Sequence, residues 1–121
     1  MRATAVQLEA RGEPTAAVVD RAVGLLDGAR GSDLVLLPEL WPSDCFAVER
    51  FAQDAESLDG PTVRLLRDRA AALKCHLFAG SFVERDGARL FNTSLLLGAR
   101  GEILARYRKV HLFGHAGSLE P

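Results

Sequence analysis

What this sequence lacks narrows the field before any motif is read. It has only two cysteines, Cys45 and Cys75, in 121 residues. They form no C-x-x-C pair and no zinc spacing, so free thiols are expected. Charge of one sign is not in excess, since the formal net charge is −1. That removes any general electrostatic case for nucleic acid or an anionic membrane as partner. No apolar run approaches the length needed to span a bilayer. The N-terminus carries Arg2, but its apolar run breaks at Gln7, so no secretory signal is read there. The expected location is therefore cytoplasmic. Without secretion, the acceptor pattern Asn92-Thr93-Ser94 carries no meaning for glycosylation. Internal repeats, low-complexity tracts and linker-like stretches are also missing.

What is present is close to average. The chain is 48% apolar and 26% charged, which argues against disorder. Its length suits one small domain with a real core. The central stretch is Leu34-Val35-Leu36-Leu37-Pro38-Glu39-Leu40-Trp41. Four apolar residues in a row read as a strand buried on both faces of a sheet. Pro38 lacks an amide proton and turns the chain out of the ladder. Glu39 then stands at the carboxyl end of a buried strand, where ligand crevices form in open α/β sheets. The plainer readings are a glutamate on a wet loop, or one that caps a following helix.

Around that stretch the elements alternate. Residues 3 to 8 read as a first strand. Gly12-Glu13-Pro14 opens a helix whose apolar stripe is Ala17, Val18, Ala22, Leu25, Leu26 and Ala29, and Gly31 stops it. With the second strand at 33 to 37, this spacing predicts a parallel βαβ unit. Cys45 to Val48 is expected to begin a short helix. Asp59-Gly60-Pro61 starts another, carrying Val63, Leu66, Ala70 and Leu73. A third strand follows at 76 to 82, then a turn at Arg85-Asp86-Gly87, a fourth strand at 90 to 97 and a fifth at 102 to 107. Crossovers give way to hairpins, so the fold class is α/β with a mixed sheet.

Lys109 follows the fifth strand as Glu39 follows the second. In the run Arg106-Tyr107-Arg108-Lys109 it reads by default as a solvated charge. The next residues, Val110, Leu112 and Phe113, are apolar and expected to pack, and a sheet can bring two strand ends together.

At this point the sequence resembles the nitrilase, or carbon–nitrogen hydrolase, superfamily. The resemblance rests on Leu37-Pro38-Glu39-Leu40, Gly80-Ser81, Phe91-Asn92-Thr93 and Tyr107-Arg108-Lys109-Val110-His111-Leu112-Phe113, in that order and at those separations. It implies an α-β-β-α sandwich with a mixed sheet and helices on its outer face. Residues 1–121 would be the N-terminal portion of one such domain. It also implies a Glu-Lys-Cys triad that hydrolyses, or forms, non-peptide C–N bonds in small amides, carbamoyl compounds or nitriles. Glu39 matches the family's glutamate and Lys109 its lysine. Glu120 is the candidate for a second glutamate that many members place after the lysine loop. Neither a metal nor an organic cofactor is implied. Family members tend to pair through their sandwiches, so a homo-oligomer is expected.

Those residue types suit the chemistry. Cysteine attacks as the thiolate, which is scarce in a free thiol at neutral pH. A nearby carboxylate can take that proton and return it to the leaving amine. A fixed ammonium offsets the charge that builds on the carbonyl oxygen. The nucleophile itself is missing, because the family's cysteine follows the lysine and no cysteine follows Lys109 here. Cys45 precedes Lys109, the wrong order. Cys75 precedes a buried strand and reads as a small core residue. The expectation is the first part of a longer domain that ends before the nucleophile, and inactive by itself. His111 and His115 are four apart, but Gly114 lies between them, Gly117 follows and no H-E-x-x-H pattern is present, so no metal site is expected. Two other readings compete: an inactive module that uses the fold for assembly, and the glutaminase portion of a larger ammonia-transferring enzyme.

Overall fold

The structure, a computed structural model, describes residues 1–113. Five strands form a single sheet in the order β1-β2-β3-β4-β5. They are β1 Ala3–Ala5, β2 Leu34–Leu36, β3 His76–Asp86, β4 Arg89–Leu97 and β5 Ile103–Arg108. The first three run parallel, and β4 and β5 return antiparallel. Helix α1 spans Thr15–Asp27, the short α2 spans Phe51–Asp54 after a single 3-10 turn at Val48–Arg50, and α3 spans Pro61–Leu73. The mixed α/β sheet expected from the change of connection type is present.

Helix α1 buries Val18, Val19, Ala22 and Leu26. The stripe expected from spacing is turned slightly. Ala17 is exposed and Leu25 is 44% exposed, while Val19 faces inward. The helix ends at Asp27, before Gly31, with the amide of Gly28 bonded to Leu25 O. Gly31 instead takes a left-handed φ of 82° in the turn that feeds β2. Helix α3 begins with Pro61 at its first turn, where a missing donor costs nothing. The Glu56 carboxylate accepts from the Thr62 amide at 2.9 Å and from its hydroxyl at 2.6 Å. A negative charge at this end also complements the helix dipole.

Both long helices cover one face of the sheet. Val35, Leu37, Leu77, Ala79, Leu95 and Leu97 lie under them at 5% exposure or less. The opposite face carries Leu34, Leu36, Phe78 and Leu96, which are half-buried or exposed. The run at 34 to 37 is thus buried on alternate residues, not on both faces, because the two long helices lie on one side. Strand β1 is shorter than expected, ending at Ala5. Strand β3 is longer and continues to Asp86, paired with β4 through Asp86↔Arg89.

Candidate active site

The site is built at the carboxyl end of β2, where the chain is stitched to an irregularity in β3. Register shifts between Phe78 and Ser81, which gives β3 an extra residue against β4. Four hydrogen bonds hold the β2 exit against it. Leu37 N donates to Phe78 O at 3.0 Å and Ser81 N to Pro38 O at 3.0 Å. Leu40 N donates to Ser81 Oγ at 2.9 Å, and Trp41 Nε1 donates to Ala79 O at 2.9 Å. The approach is close enough to require glycine. At Gly80, φ is 62°, and a Cβ would stand 2.7 Å from Leu37 O and nearer still to Pro38 O. Leu40 is itself held at a φ of 48°, an uncommon conformation for a branched residue. Glu39 is pinned between Pro38 and Leu40, so its backbone has little freedom.

Strands β4 and β5 bring the partners. Asn92 pairs with Val83 across the hairpin, and Lys109 N donates to Asn92 O at 2.9 Å just past the end of β5. The Lys109 ammonium lies 2.7 Å from Glu39 Oε1, and Asn92 Nδ2 lies 2.9 Å from the same oxygen. The two strand-end charges expected to meet therefore do meet, with Asn92 as a third member. The Lys109 hydrogen bond is the main reason the Glu39 carboxyl is held below its ordinary 4.5. Partial burial opposes it, and the Asn92 amide adds to it. Glu39 remains 59% exposed at its side chain and Lys109 35%.

The pair opens onto a cleft of about 420 Å³. Its charged end is Glu39, Asn92 and Lys109, and its walls include Leu40, Val48, Phe51, Val83, Leu90 and Phe91. Cys45 is an exposed free thiol on the rim of that cleft. Cys75 is a free thiol buried in the core, and burial raises its pKa. Glu120 and His115 lie outside the described residues. His111 is exposed, and no group of three or more potential metal ligands occurs among the described residues. No helix of the described residues is long and apolar enough to cross a membrane.

A family model for carbon–nitrogen hydrolases matches residues 2–121. The chain belongs to the carbon–nitrogen hydrolase family. Among curated relatives it is 40% identical over 89 residues to the chloroplastic omega-amidase of Arabidopsis thaliana, covering 70% of this chain and 24% of that protein. It is 32% identical over 100 residues to 2-oxoglutaramate amidase of Paenarthrobacter nicotinovorans, covering 79% and 34%. Among solved structures, Saccharomyces cerevisiae Nit3, a member of the nitrilase superfamily, matches with a TM-score of 0.84 at 27% identity. The match covers 96% of this chain and 46% of Nit3. The chain thus spans 24% to 34% of the length of these curated relatives, and under half of the solved one. The nitrilase-type α/β fold expected from the motifs is the fold observed.

Two residues of the carbon–nitrogen hydrolase chain escaped the reading of its sequence. Asn92 was visible only as part of a motif, without a role, because nothing local says that its amide reaches Glu39. Glu84 was overlooked because strand β3 was expected to end at Phe82. It is 2% exposed and meets Arg108 at two points: Nε to Oε2 at 3.1 Å and Nη2 to Oε1 at 2.7 Å. The buried Thr93 hydroxyl donates to the same carboxylate. Burial pushes the Glu84 carboxyl up, but Arg108, Thr93 and Arg106 outweigh it and hold it below 4.5.

Proposed function

We propose that this chain carries the acid–base and cationic part of a thiol-dependent hydrolase acting on the C–N bond of a small amide. The observation that carries the reading is the meeting of Lys109 and Asn92 on one oxygen of Glu39, at the end of a cleft. In this reading Oε2 of Glu39 handles the proton. It takes the proton from a cysteine thiol as the thiolate attacks the amide carbonyl carbon. It returns the proton to the nitrogen as the C–N bond breaks, leaving a thioester and releasing ammonia or an amine. Water, deprotonated by the same carboxylate, then cleaves the thioester and restores the thiol. The Lys109 ammonium offsets the charge on the carbonyl oxygen. Asn92 holds Glu39 in place. The apolar walls of the cleft suit the hydrocarbon portion of the substrate.

The nucleophile in this proposal is a cysteine outside residues 1–121, since none follows Lys109. By themselves these residues are then expected to show no turnover, because loss of a nucleophile costs on the order of a millionfold in rate. Cytoplasmic location and homo-oligomer formation belong to the same proposal. Association is supported by exposed apolar side chains on β5 and beyond it, including Leu104, Tyr107 and Val110. The omega-amidase and 2-oxoglutaramate amidase relatives place an acidic mono-amide first on the list of substrates to try.

The test assays the full-length protein on 2-oxoglutaramate, glutamine, simple amides, carbamoyl amines and nitriles. Glu39→Gln should lower kcat/KM by about 10²–10⁴-fold, the usual worth of a general acid–base group. Lys109→Met should lower it by about 10²–10³-fold. Cys45→Ala should retain activity. Retained turnover in Glu39→Gln, or its loss in Cys45→Ala, would overturn the assignment. A wild-type protein inert on the whole panel would favour an assembly module. Activity confined to glutamine would favour a glutaminase.

A further inference from the structure

Glu84 takes no part in the reaction proposed above, yet it is the most thoroughly partnered carboxylate among the described residues. Its neighbours span three strands. Glu84 is on β3, Thr93 on β4 and Arg108 on β5, and Thr93 and Arg108 are register partners. The Arg108 guanidinium also lies 3.8 Å from the centre of the Phe91 ring and 2.8 Å from Asp86. Side chains alternate across a strand, so Arg108 and the next residue, Lys109, leave opposite faces. The Glu84 cluster is on the helix-covered face, and the Glu39 pair is on the other. They are back to back, one residue apart.

β5 is an edge strand among the described residues, paired only with β4. The end of such a strand frays unless something holds it. Lys109 has a single backbone bond, to Asn92 O, and beyond it Val110 is 72% exposed. Beside the ladder with β4, the side chain of Arg108 is an anchor at this end, and Glu84 is what it grips. We propose that Glu84 is a positioning residue for Lys109. Its two-point hold on Arg108 fixes the end of β5, and with it the spot from which the ammonium reaches Glu39. The proposal rests on the reading of Glu39 and Lys109 as the working pair, but its coupling is measurable without catalysis. A planar two-point contact suits this task better than a point charge, because it fixes direction as well as distance.

The experiment uses the full-length protein and three variants. Glu84→Gln keeps the volume and removes the charge. Arg108→Lys keeps the charge and removes the fork, and serves if Glu84→Gln does not fold. Leu26→Ala, in the fully buried core of α1, supplies a loss of stability unrelated to β5. Two quantities are read by NMR well below each melting temperature: the titration midpoint of the Glu39 carboxyl and the exchange rate of the Lys109 amide. In Glu84→Gln and Arg108→Lys the Glu39 midpoint should rise toward the ordinary 4.5. Lys109 amide exchange should quicken by about tenfold or more as the strand end opens. Leu26→Ala should leave both as in the wild type. Folded Glu84→Gln or Arg108→Lys with unchanged midpoint and exchange would overturn the proposal and leave Glu84 a structural ion pair. Failure of the proposed reaction would appear separately, as retained turnover in Glu39→Gln.

Discussion

Two acid–cation pairs stand one residue apart along β5, and they are built in opposite ways. Glu84 and Arg108 meet at two points, with the carboxylate 2% exposed and a buried hydroxyl donating to it. Glu39 and Lys109 meet at one point, with the carboxylate 59% exposed and its backbone set by a left-handed Leu40. In the first pair Arg108 donates to both carboxylate oxygens and Thr93 to one of them, with Arg106 nearby, which is what a buried charge requires. A group so satisfied has little left to give to chemistry. In the second pair the contacts converge on one oxygen, and solvent or substrate can approach the rest. Strain and exposure gather at the second pair, satisfaction at the first.

That contrast breaks most sharply when each cation is removed in turn. Arg108→Met leaves the Glu84 carboxylate only Thr93 and the more distant Arg106, at 3.7 Å, and a buried charge that loses its main partner costs up to about 3–5 kcal/mol. Lys109→Met exposes Glu39 only to water and should cost under about 1 kcal/mol. Activity should invert that order: Lys109→Met lowers kcat/KM by about 10²–10³-fold at nearly full stability. Urea denaturation of both variants beside the wild type reads the difference directly. Equal stability losses would mean that the two pairs are not distinct in kind.

Gly80 joins the two regions, since the bulge it sits in supports the Glu39 loop from the strand that carries Glu84. Gly80→Ala places a methyl against Leu37 O and Pro38 O in a left-handed conformation. The backbone penalty and the collision together should cost about 3 kcal/mol. The carbonyls that must move are those just before Glu39, so the loss should come with a longer Glu39–Asn92 distance and reduced turnover. A crystal structure of the variant with Glu39 in place would show that the bulge does not set the site.

The hairpins and the strand-end pair were legible in the sequence because their signals are local. Asp86-Gly87 marks its own turn, and Pro38 and Lys109 mark their own strand ends. The helices were legible in position, but the inward face of α1 is turned toward Val19 because packing against β2 and α3 decides it, not spacing alone. Burial of the 34 to 37 run was overstated because four apolar residues look alike whether one face is covered or two. The short helix placed at Cys45 to Val48 begins at Val48 instead, after a turn in which Asp44 accepts the Phe46 amide. The roles of Asn92 and Glu84 were not legible. Their meaning comes from register across three strands, a property no single segment contains.

The smallest effect expected concerns acid, and it sharpens the same comparison. Glu39 has a folded pKa below its ordinary 4.5, chiefly because Lys109 donates to it. Its carboxylate is bound more favourably in the folded state, so the pair contributes stability that is fully present above about pH 4.5. That contribution is lost as pH falls through the lowered folded value, where Glu39 takes up a proton and the ion pair goes. With 59% of the Glu39 side chain exposed, solvent and salt screen the pair, and the contribution should stay below about 1 kcal/mol. Glu39→Gln should therefore be slightly less stable than wild type at pH 7, and the gap should close as pH falls through the lowered folded value. Raising the ionic strength to about 1 M should close the gap at pH 7 as well, since screening then acts within about 3 Å. The Glu84 pair, whose carboxylate is 2% exposed, should keep more of its contribution in the same salt. Stability curves of wild type, Glu39→Gln and Glu84→Gln against pH at two ionic strengths separate the cases. A gap for Glu39→Gln that survives both acid and salt would mean that the carboxylate holds the β2 exit by shape instead of charge.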